Sequence, residues 1–373
     1  MLAWQPVRYL LPWIGREEEH RLTDPPLRVR QFPLVRGYSR WPISALYDFG
    51  AVMVERMARQ SDRPEECPLI CTAPFFAPVA ARWPGPVVYW LTDRIAAYPS
   101  ADAEQVRRLD GYLCRRADVV CPNSYRLAEY LMDEAGCEPT KLQVVPNATR
   151  ASNLLDRPAE VPAELPEDLR GMRRPVAGVI GNLAGNLDWV FLEQLVRATP
   201  GFRWAFVGPT TMPIEDAVQR SARAAVMRHP AARFVGRKMY GELARYARAL
   251  DVAVLPYRRV EPTYSGSSTR FYEHLAAGQP IVATRGFEEL LHKEPLLRLV
   301  DSADEAAVWL EELRSRGFAD GLREMRWRAS REATWQKRAG LMRRALRTRV
   351  GAFEATADEE SRPVRGEEAV LPV

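Results

Sequence analysis

The sequence lacks the features that define several special classes of protein. Its five cysteines contain no CxxC pair and its four histidines are dispersed, so neither a disulfide scaffold nor a metal site is predicted. No apolar run approaches the ~20 residues of a membrane helix. The N-terminus has no secretory pattern of an apolar stretch and a cleavage site. These absences favour a cytoplasmic globular protein that needs no metal or other cofactor.

The charge balance is mildly basic, with 53 Lys and Arg against 48 Asp and Glu. Arginine greatly outnumbers lysine, which suits rigid recognition of anions and is equally typical of a genomic bias. The basic residues are scattered and form no helix-turn-helix, zinc-finger or RNP pattern. Nucleic acid is therefore not predicted as a partner.

The 373 residues are too many for one ordinary core and favour two domains. Short apolar strands alternate with amphipathic helices in residues 1–150 and again in 175–326, which predicts an α/β fold with parallel sheets. Residues 151–174 are rich in proline and charge and are interpreted as a linker. Residues 327–350 are helical, and 351–373 form an acidic, aperiodic tail that we expect to be disordered.

The element boundaries follow from apolar periodicity and from turn residues. The predicted strands are 27–32, 69–72, 87–90, 118–121, 142–145, 176–180, 204–207, 233–235, 252–255, 280–283 and 297–300. The predicted helices are 42–59, 101–116, 124–134, 188–198, 215–227, 240–249, 269–277, 303–314 and 320–350. Residues 9–13 are interpreted as a strand end or an aromatic segment that touches a membrane.

Residues 251–284 are the most informative stretch of the chain. They comprise a buried strand, a loop of small polar residues, a short helix that carries one glutamate, and a second strand. The N-terminus of such a helix favours anions because its amides are unpaired. An acid inside the helix accepts hydrogen bonds from sugar hydroxyls. Together these features predict a pocket for a ribose and a diphosphate, and hence a nucleotide sugar.

Six motifs in fixed order extend this interpretation. They are ADVVCPNS (117–124), VVPNAT (144–149), VIGNL (179–183), FVGR (234–237), LDVAVLPYRR (250–259) and FYEHLAAGQPIVAT (271–284). In this order and spacing the chain resembles the GT-B glycosyltransferases, specifically the family 4 type that modifies cell-envelope sugars. The resemblance is strong from about residue 87 to residue 300.

The resemblance implies two Rossmann-like, doubly wound domains that face a cleft. The donor site would lie in the second domain and the acceptor site mainly in the first, with helix 327–350 crossing back to the first domain. Family members begin with a strand, a glycine-rich loop and a long helix. No such unit precedes the first residues here, so we expect a first domain without its first strand and helix, through a misassigned start codon or a real shortening.

The resemblance also assigns roles in the donor site. Glu273 would bind the ribose hydroxyls, and Arg270 would touch the diphosphate as a catalytic group. The backbone amides around Ser267, Ser268 and Thr269 would complete the anion cradle. Many family members carry a second glutamate eight positions before the first, and its place is taken here by a serine, Ser265, while Glu261 is out of register.

Further donor-side candidates follow two other strands. Gly181 and Asn182 form a turn whose amides would approach phosphate, with an unliganded turn as the alternative. Arg237 would meet the leaving diphosphate, and the neighbouring Lys238 and Tyr240 would help to hold the nucleotide. Tyr240 is equally well explained as a packing residue at a helix start.

On the acceptor side, Asp93 follows a strand at the edge where α/β sites form. It would orient the acceptor hydroxyl or take its proton, and the alternative is a helix N-cap. Asn123 and Ser124 follow the next strand and would also face the acceptor.

The predicted function is therefore transfer of a sugar from a nucleoside-diphosphate sugar to a polysaccharide or lipid-linked acceptor. Retention of anomeric configuration is implied by the family, and metal independence agrees with the absence of an Asp-x-Asp motif. Two alternatives stay open, a non-catalytic partner of another transferase and a sugar-nucleotide 2-epimerase, although the clustered acids and histidines that an epimerase needs are not found. Peripheral membrane contact through Trp4, Tyr9, Trp13, Arg28 and Arg30 is a further hypothesis, and an ordinary packed N-terminus is its alternative.

Overall fold

The computed structural model describes residues 49–59, 63–99, 101–158 and 162–350, together with the backbone of three earlier strands. These strands are Leu2–Val7 (β1), Glu18–His20 (β2) and Leu27–Pro33 (β3). β1 pairs parallel with β3, and β2 pairs antiparallel with it. The strand predicted at 27–32 is present, whereas residues 9–13 and the tail 351–373 lie outside the described residues. The missing first strand and helix, and the aromatic patch, stay predictions.

The first domain is built on a parallel sheet of order β4-β5-β6. Its strands are Leu69–Cys71 (β4), Val87–Tyr89 (β5) and Val119–Val120 (β6). Its helices are Phe49–Ala58 (α1), Ala77–Arg82 (α2), Ala103–Arg116 (α3) and Tyr125–Asp133 (α4). The strand predicted at 142–145 is reduced to a single bridge between Leu142 and Val120.

The second domain holds a six-stranded parallel sheet of order β12-β11-β10-β7-β8-β9. The strands are Val176–Ile180 (β7), Arg203–Val207 (β8), Ala232–Phe234 (β9), Val252–Leu255 (β10), Ile281–Thr284 (β11) and Arg298–Val300 (β12). The helices are Trp189–Ala198 (α5), Ala217–Arg228 (α6), Leu243–Ala249 (α7), Thr269–Ala277 (α8) and Ala303–Ser315 (α9). Strand order reverses between β7 and β10, and ligands of doubly wound sheets bind at that crevice.

The helix predicted over 320–350 is two helices, Arg323–Glu332 (α10) and Trp335–Val350 (α11). The break falls where Thr334 pairs with Thr149 of the first domain, so a tertiary contact interrupts a helical sequence. α11 then packs on the first domain, where Leu346 joins a buried cluster with residues that include Val88 and Val119. The chain thus crosses back to its first domain after α10.

Candidate active site

A cavity of about 600 Å³ lies between the two domains, at the carboxyl ends of their parallel strands. The first domain contributes polar residues that follow β5 and β6, and the second contributes the turn after β7 and the loop before α8. Residues of its wall include Thr92, Asp93, Asn123, Asn147, Asn182, Asn186, Thr263, Ser267 and Thr269. Loops at the carboxyl ends of two facing sheets therefore meet in one cleft.

Hydrogen bonds join the domains along the loop before α8. Asn147 donates its backbone N–H to Ser267 Oγ at 3.0 Å and its side-chain Nδ2 to the Ser267 carbonyl at 2.7 Å. Ser124 Oγ donates to the Ser265 carbonyl and accepts from the amide of Leu127. The acceptor-side role predicted for Ser124 is therefore not supported, because its hydroxyl already caps α4 and forms a hydrogen bond between the two domains.

Glu273 lies in the wall of a second, smaller cavity of about 270 Å³ beside α8. Its carboxylate is buried and accepts hydrogen bonds from Tyr240 Oη at 2.7 Å and from Asn153 Nδ2 at 2.7 Å. Thr149 adds a longer contact of 3.4 Å. Burial raises the pKa of Glu273, and these hydrogen bonds oppose that shift. Asn153 belongs to the predicted linker and was missed, because no local signal ties it to a helix 120 residues later.

Arg270 lines the same small cavity. Its Nη2 donates to the carbonyl of Asn182, and its guanidinium lies over the ring of Tyr257 at 5.3 Å. Nη1 is buried and has no hydrogen-bond partner among the described residues. A buried guanidinium N–H without a partner suits a phosphate oxygen, which forms charge-assisted hydrogen bonds with arginine.

The N-terminus of α8 is only partly open to an anion. Ser268 caps the helix through its hydroxyl, but its amide donates to the buried carboxylate of Glu289 at 3.0 Å. Tyr272 donates to the same carboxylate. The Ser268 amide is therefore not available to the predicted anion site, whereas Thr269 lies in the wall of both cavities.

The turn after β7 is shaped by Gly181, whose φ is +114°. A Cβ atom there would lie 2.2 Å from Nε of Arg270, so glycine is what lets the guanidinium approach the backbone. The Gly181 amide donates to the Val207 carbonyl at 2.8 Å and is not available for phosphate. Asn182 is exposed beside it and lines both cavities.

The structure places Arg237 and Lys238 outside the walls of both cavities, and their contacts with a nucleotide stay a prediction. Lys238 forms an ion pair with Asp168 and also lies near the ring of Tyr246. Arg237 is exposed, and neither residue lines either cavity. Tyr240 does reach the small cavity, where it contacts Glu273 and packs under Arg150 at 4.2 Å.

Asp93 and Asn123 stand together in the wall of the large cavity. Partial burial raises the pKa of Asp93. The helical turn that follows begins after Arg94 and has no side-chain cap, so the alternative role of Asp93 as an N-cap is not realised. Asn123 donates Nδ2 to the Thr92 carbonyl at 2.9 Å, and its Oδ1 is buried without a partner among the described residues.

His274 is a site residue that sequence reasoning missed. It is buried, it lines the small cavity, and neither ring nitrogen has a hydrogen-bond partner among the described residues. Burial and the nearby charge of Arg270 lower its pKa to about 3. Its position four residues after Arg270 on α8 is the signal that could have found it, because such residues share a helix face.

The described residues hold neither a candidate metal cluster nor a helix that could span a membrane. No group of three or more His, Cys, Asp or Glu side chains there could hold a metal ion, and metal independence itself stays a prediction. No helix among them combines the length and apolarity needed to cross a bilayer.

The two α/β domains, the strand orders and the interdomain cleft define the GT-B fold. Residues 174–315 match the family model described as "Glycosyl transferases group 1", which places a glycosyltransferase domain in the second half of the chain. Solved structures agree on the fold. HepE from Anabaena, in complex with UDP and glucose, has a TM-score of 0.65 at 16% identity and covers 86% of each chain. A UDP-forming trehalose-phosphate synthase from Burkholderia xenovorans has a TM-score of 0.65 at 16% identity and covers 94% of each chain.

A curated relative is more similar in sequence over a shorter stretch. TuaH of Bacillus subtilis (strain 168), whose name assigns it to teichuronic acid biosynthesis as a glycosyltransferase, is 25% identical over 116 residues. The match spans 31% of this chain and 28% of the relative.

Proposed function

We propose that the protein transfers a sugar from a UDP-sugar to a saccharide or lipid-linked acceptor of the cell envelope, as a family 4 type enzyme. Arg270 Nη1 carries this proposal, because this guanidinium nitrogen is buried and has no hydrogen-bond partner among the described residues. It lies beside the N-terminus of α8, and Arg270 lines the cavity that holds Glu273. The choice of UDP is supported by HepE, which was solved with UDP. The envelope role is supported by the name of TuaH.

Different residues of the site have different roles in the proposed sugar transfer. As the diphosphate leaves, Arg270 and the N-terminus of α8 stabilise its growing charge. The sugar passes through an oxocarbenium-like state, and acceptor attack from the same face retains the anomeric configuration. Asp93, across the large cavity, orients the acceptor hydroxyl or takes its proton. No residue in this scheme requires a metal.

A cytoplasmic location with peripheral contact at the inner membrane face completes the proposal. Cys71, Cys114, Cys121 and Cys137 are buried and form no disulfide bond, which fits a reducing compartment.

The test is thermal unfolding of the full chain with UDP, GDP, ADP and TDP, with and without magnesium. Selective binding stabilises the folded state by RT ln(1 + [L]/Kd), about 2.7 kcal/mol at a hundredfold excess over Kd. We expect a UDP-selective, magnesium-independent shift that Arg270→Ala abolishes, whereas Arg197→Ala, on the surface of α5, retains it. No shift with any nucleotide would refute the donor site. Binding without turnover of any UDP-sugar would favour the non-catalytic alternative.

A further inference from the structure

The wall of the large cavity is polar but carries almost no charge. Among the described residues that line it, Asp93 is the one acidic or basic side chain. Four asparagines, Asn123, Asn147, Asn182 and Asn186, together with threonines and a serine, supply most of the remaining polar surface. Such a wall offers hydrogen bonds in both directions, and no lysine or arginine side chain is among the described residues that line it. Its one electropositive element is the N-terminus of α8, at Ser267 and Thr269, which the proposed donor uses.

The arginines close to this wall are already engaged. Arg94, next to Asp93 in sequence, pairs with Glu134, approaches Glu261 at 3.7 Å and lies over the ring of Tyr130 at 4.8 Å. Arg258 pairs with Asp216 at 3.0 Å. Arg270 lines the smaller cavity, where the proposed donor needs it. An acceptor phosphate or carboxylate on the Asp93 side of the large cavity, away from the N-terminus of α8, would therefore face Asp93 without a counter-ion, which is unfavourable.

Two amide oxygens on opposite sides of the cavity point to the kind of group that enters it. Oδ1 of Asn123, in the first domain, and Oδ1 of Asn186, in the second, are both buried without a hydrogen-bond partner among the described residues. The orientation of the Asn123 amide is fixed, because its Nδ2 donates to the Thr92 carbonyl. An amide oxygen can only accept, so its partner must carry O–H or N–H groups. Ionised phosphates and carboxylates have no such donor.

We propose that the acceptor presents an uncharged, polyhydroxylated unit to this cavity, that is, a neutral saccharide. Asn123 and Asn186 accept hydrogen bonds from its hydroxyls and select against an anionic acceptor unit. This inference rests on the proposed transferase function and names its acceptor class.

The experiment compares acceptors that share a hexose ring and differ mainly in the charge of the group at C6. Methyl glucoside, glucose 6-phosphate and methyl glucuronide, and the matching galactose and mannose sets, are offered to the full chain with UDP. Saturation-transfer NMR measures acceptor binding, and UDP release from the UDP-sugar that the enzyme turns over measures transfer. We expect at least one neutral member to bind or react at least tenfold better than its two charged counterparts.

Two variants change the charge of the cavity wall and test its effect on acceptor choice. Asn123→Asp retains an accepting oxygen but adds a negative charge, and should widen the discrimination against the charged members. Thr263→Lys adds a cation to the wall and should improve binding of the phosphorylated member. Equal or better binding of a charged member to the wild type, or no binding of any neutral member while UDP still raises Tm, would overturn the acceptor assignment alone. Loss of the UDP shift itself would instead refute the donor site.

Discussion

Glu273 is a single carboxylate that connects three parts of the chain. It lies on α8, and its hydrogen-bond partners come from the residues before the second domain and from the turn after β9. A donor ribose that binds Glu273 must therefore share the carboxylate with Asn153 and Tyr240. This sharing makes Glu273 important for both affinity and stability.

Replacing Glu273 by Gln should weaken UDP binding at least tenfold and lower the free energy of unfolding by about 1–3 kcal/mol. The amide has one accepting oxygen where the carboxylate has two, so either Asn153 or Tyr240 loses its acceptor. Calorimetric titration with UDP and urea denaturation measure the two effects. Glu129→Gln is the control, since Glu129 is exposed in a surface ion pair with Arg126 that is worth little. Unchanged UDP affinity in Glu273→Gln would remove Glu273 from the donor site.

His274 provides a pH-dependent prediction at the same site. Its folded-state pKa of about 3 lies below the ~6.5 of an unfolded histidine. The unfolded state therefore binds more protons, and stability falls as the pH drops from about 6.5 towards 3, by up to ~1.4 kcal/mol per pH unit.

Replacing His274 by Leu should remove this slope and raise the stability at pH 7, because two unpartnered ring nitrogens no longer have to be buried. Urea denaturation of wild type and variant from pH 4 to pH 8 measures the difference, with His292→Leu, at an exposed histidine, as the control. Parallel pH curves for wild type and His274→Leu would contradict the prediction.

At the scale of elements, the turn after β7 and the N-terminus of α8 act together. The turn lets the guanidinium of Arg270 lie against the backbone of Gly181, and the small cavity opens beside both. Neither element forms the anion site alone, because the Gly181 and Ser268 amides are used within the protein. Arg270 connects the two elements, because it belongs to α8 and its guanidinium lies against the turn.

Replacing Gly181 by Ala tests the contact between the turn and the guanidinium of Arg270. The backbone φ of +114° costs a non-glycine residue about 1–3 kcal/mol, and the new methyl group would push Arg270 away. We expect lower stability and at least tenfold weaker UDP binding. Gly241→Ala is the matched control, since a Cβ there would have no atom within 4 Å. Wild-type UDP affinity in Gly181→Ala would show that the turn does not position Arg270.

At the scale of the whole molecule, the last helix ties the two domains together. α11 follows α10 directly and packs Leu346 into the first domain. Trp335 at its start meets Trp90 of the first domain edge-on, with ring centroids 6.0 Å apart. Together with the hydrogen bonds of Asn147, this packing sets how the domains face each other across the cleft.

Replacing Leu346 by Ala should destabilise this docking by about 2–5 kcal/mol, the usual range for a buried leucine. Limited proteolysis should then cut within α11 faster than in the wild type, and kcat/KM should fall because the cleft is less well defined. Val308→Ala is the control, because Val308 on α9 is 62% exposed. Equal cleavage rates would show that α11 is not held by this contact.

Local sequence signals alone predict the order of elements in the second domain and several of their boundaries. The boundaries of β7, β10 and α8 agree with the prediction to the residue, because their signals are local. Ser268 caps α8 through its own side chain, and Gly278 ends it in the left-handed conformation that glycine adopts at low cost. The cavity residues Glu273 and Arg270 follow from that helix, since their spacing fixes the faces on which they lie.

Which polar groups contact one another depends on tertiary packing, which no local pattern in the sequence predicts. Asp168 forms an ion pair with Lys238, 70 residues later in the sequence. The Ser124 hydroxyl donates a hydrogen bond to the Ser265 carbonyl, and Asn153 donates one to the Glu273 carboxylate. The break between α10 and α11 likewise depends on a pairing with Thr149. Caps and periodicity act over a few residues, whereas these contacts depend on which loops the two sheets bring to the same cleft.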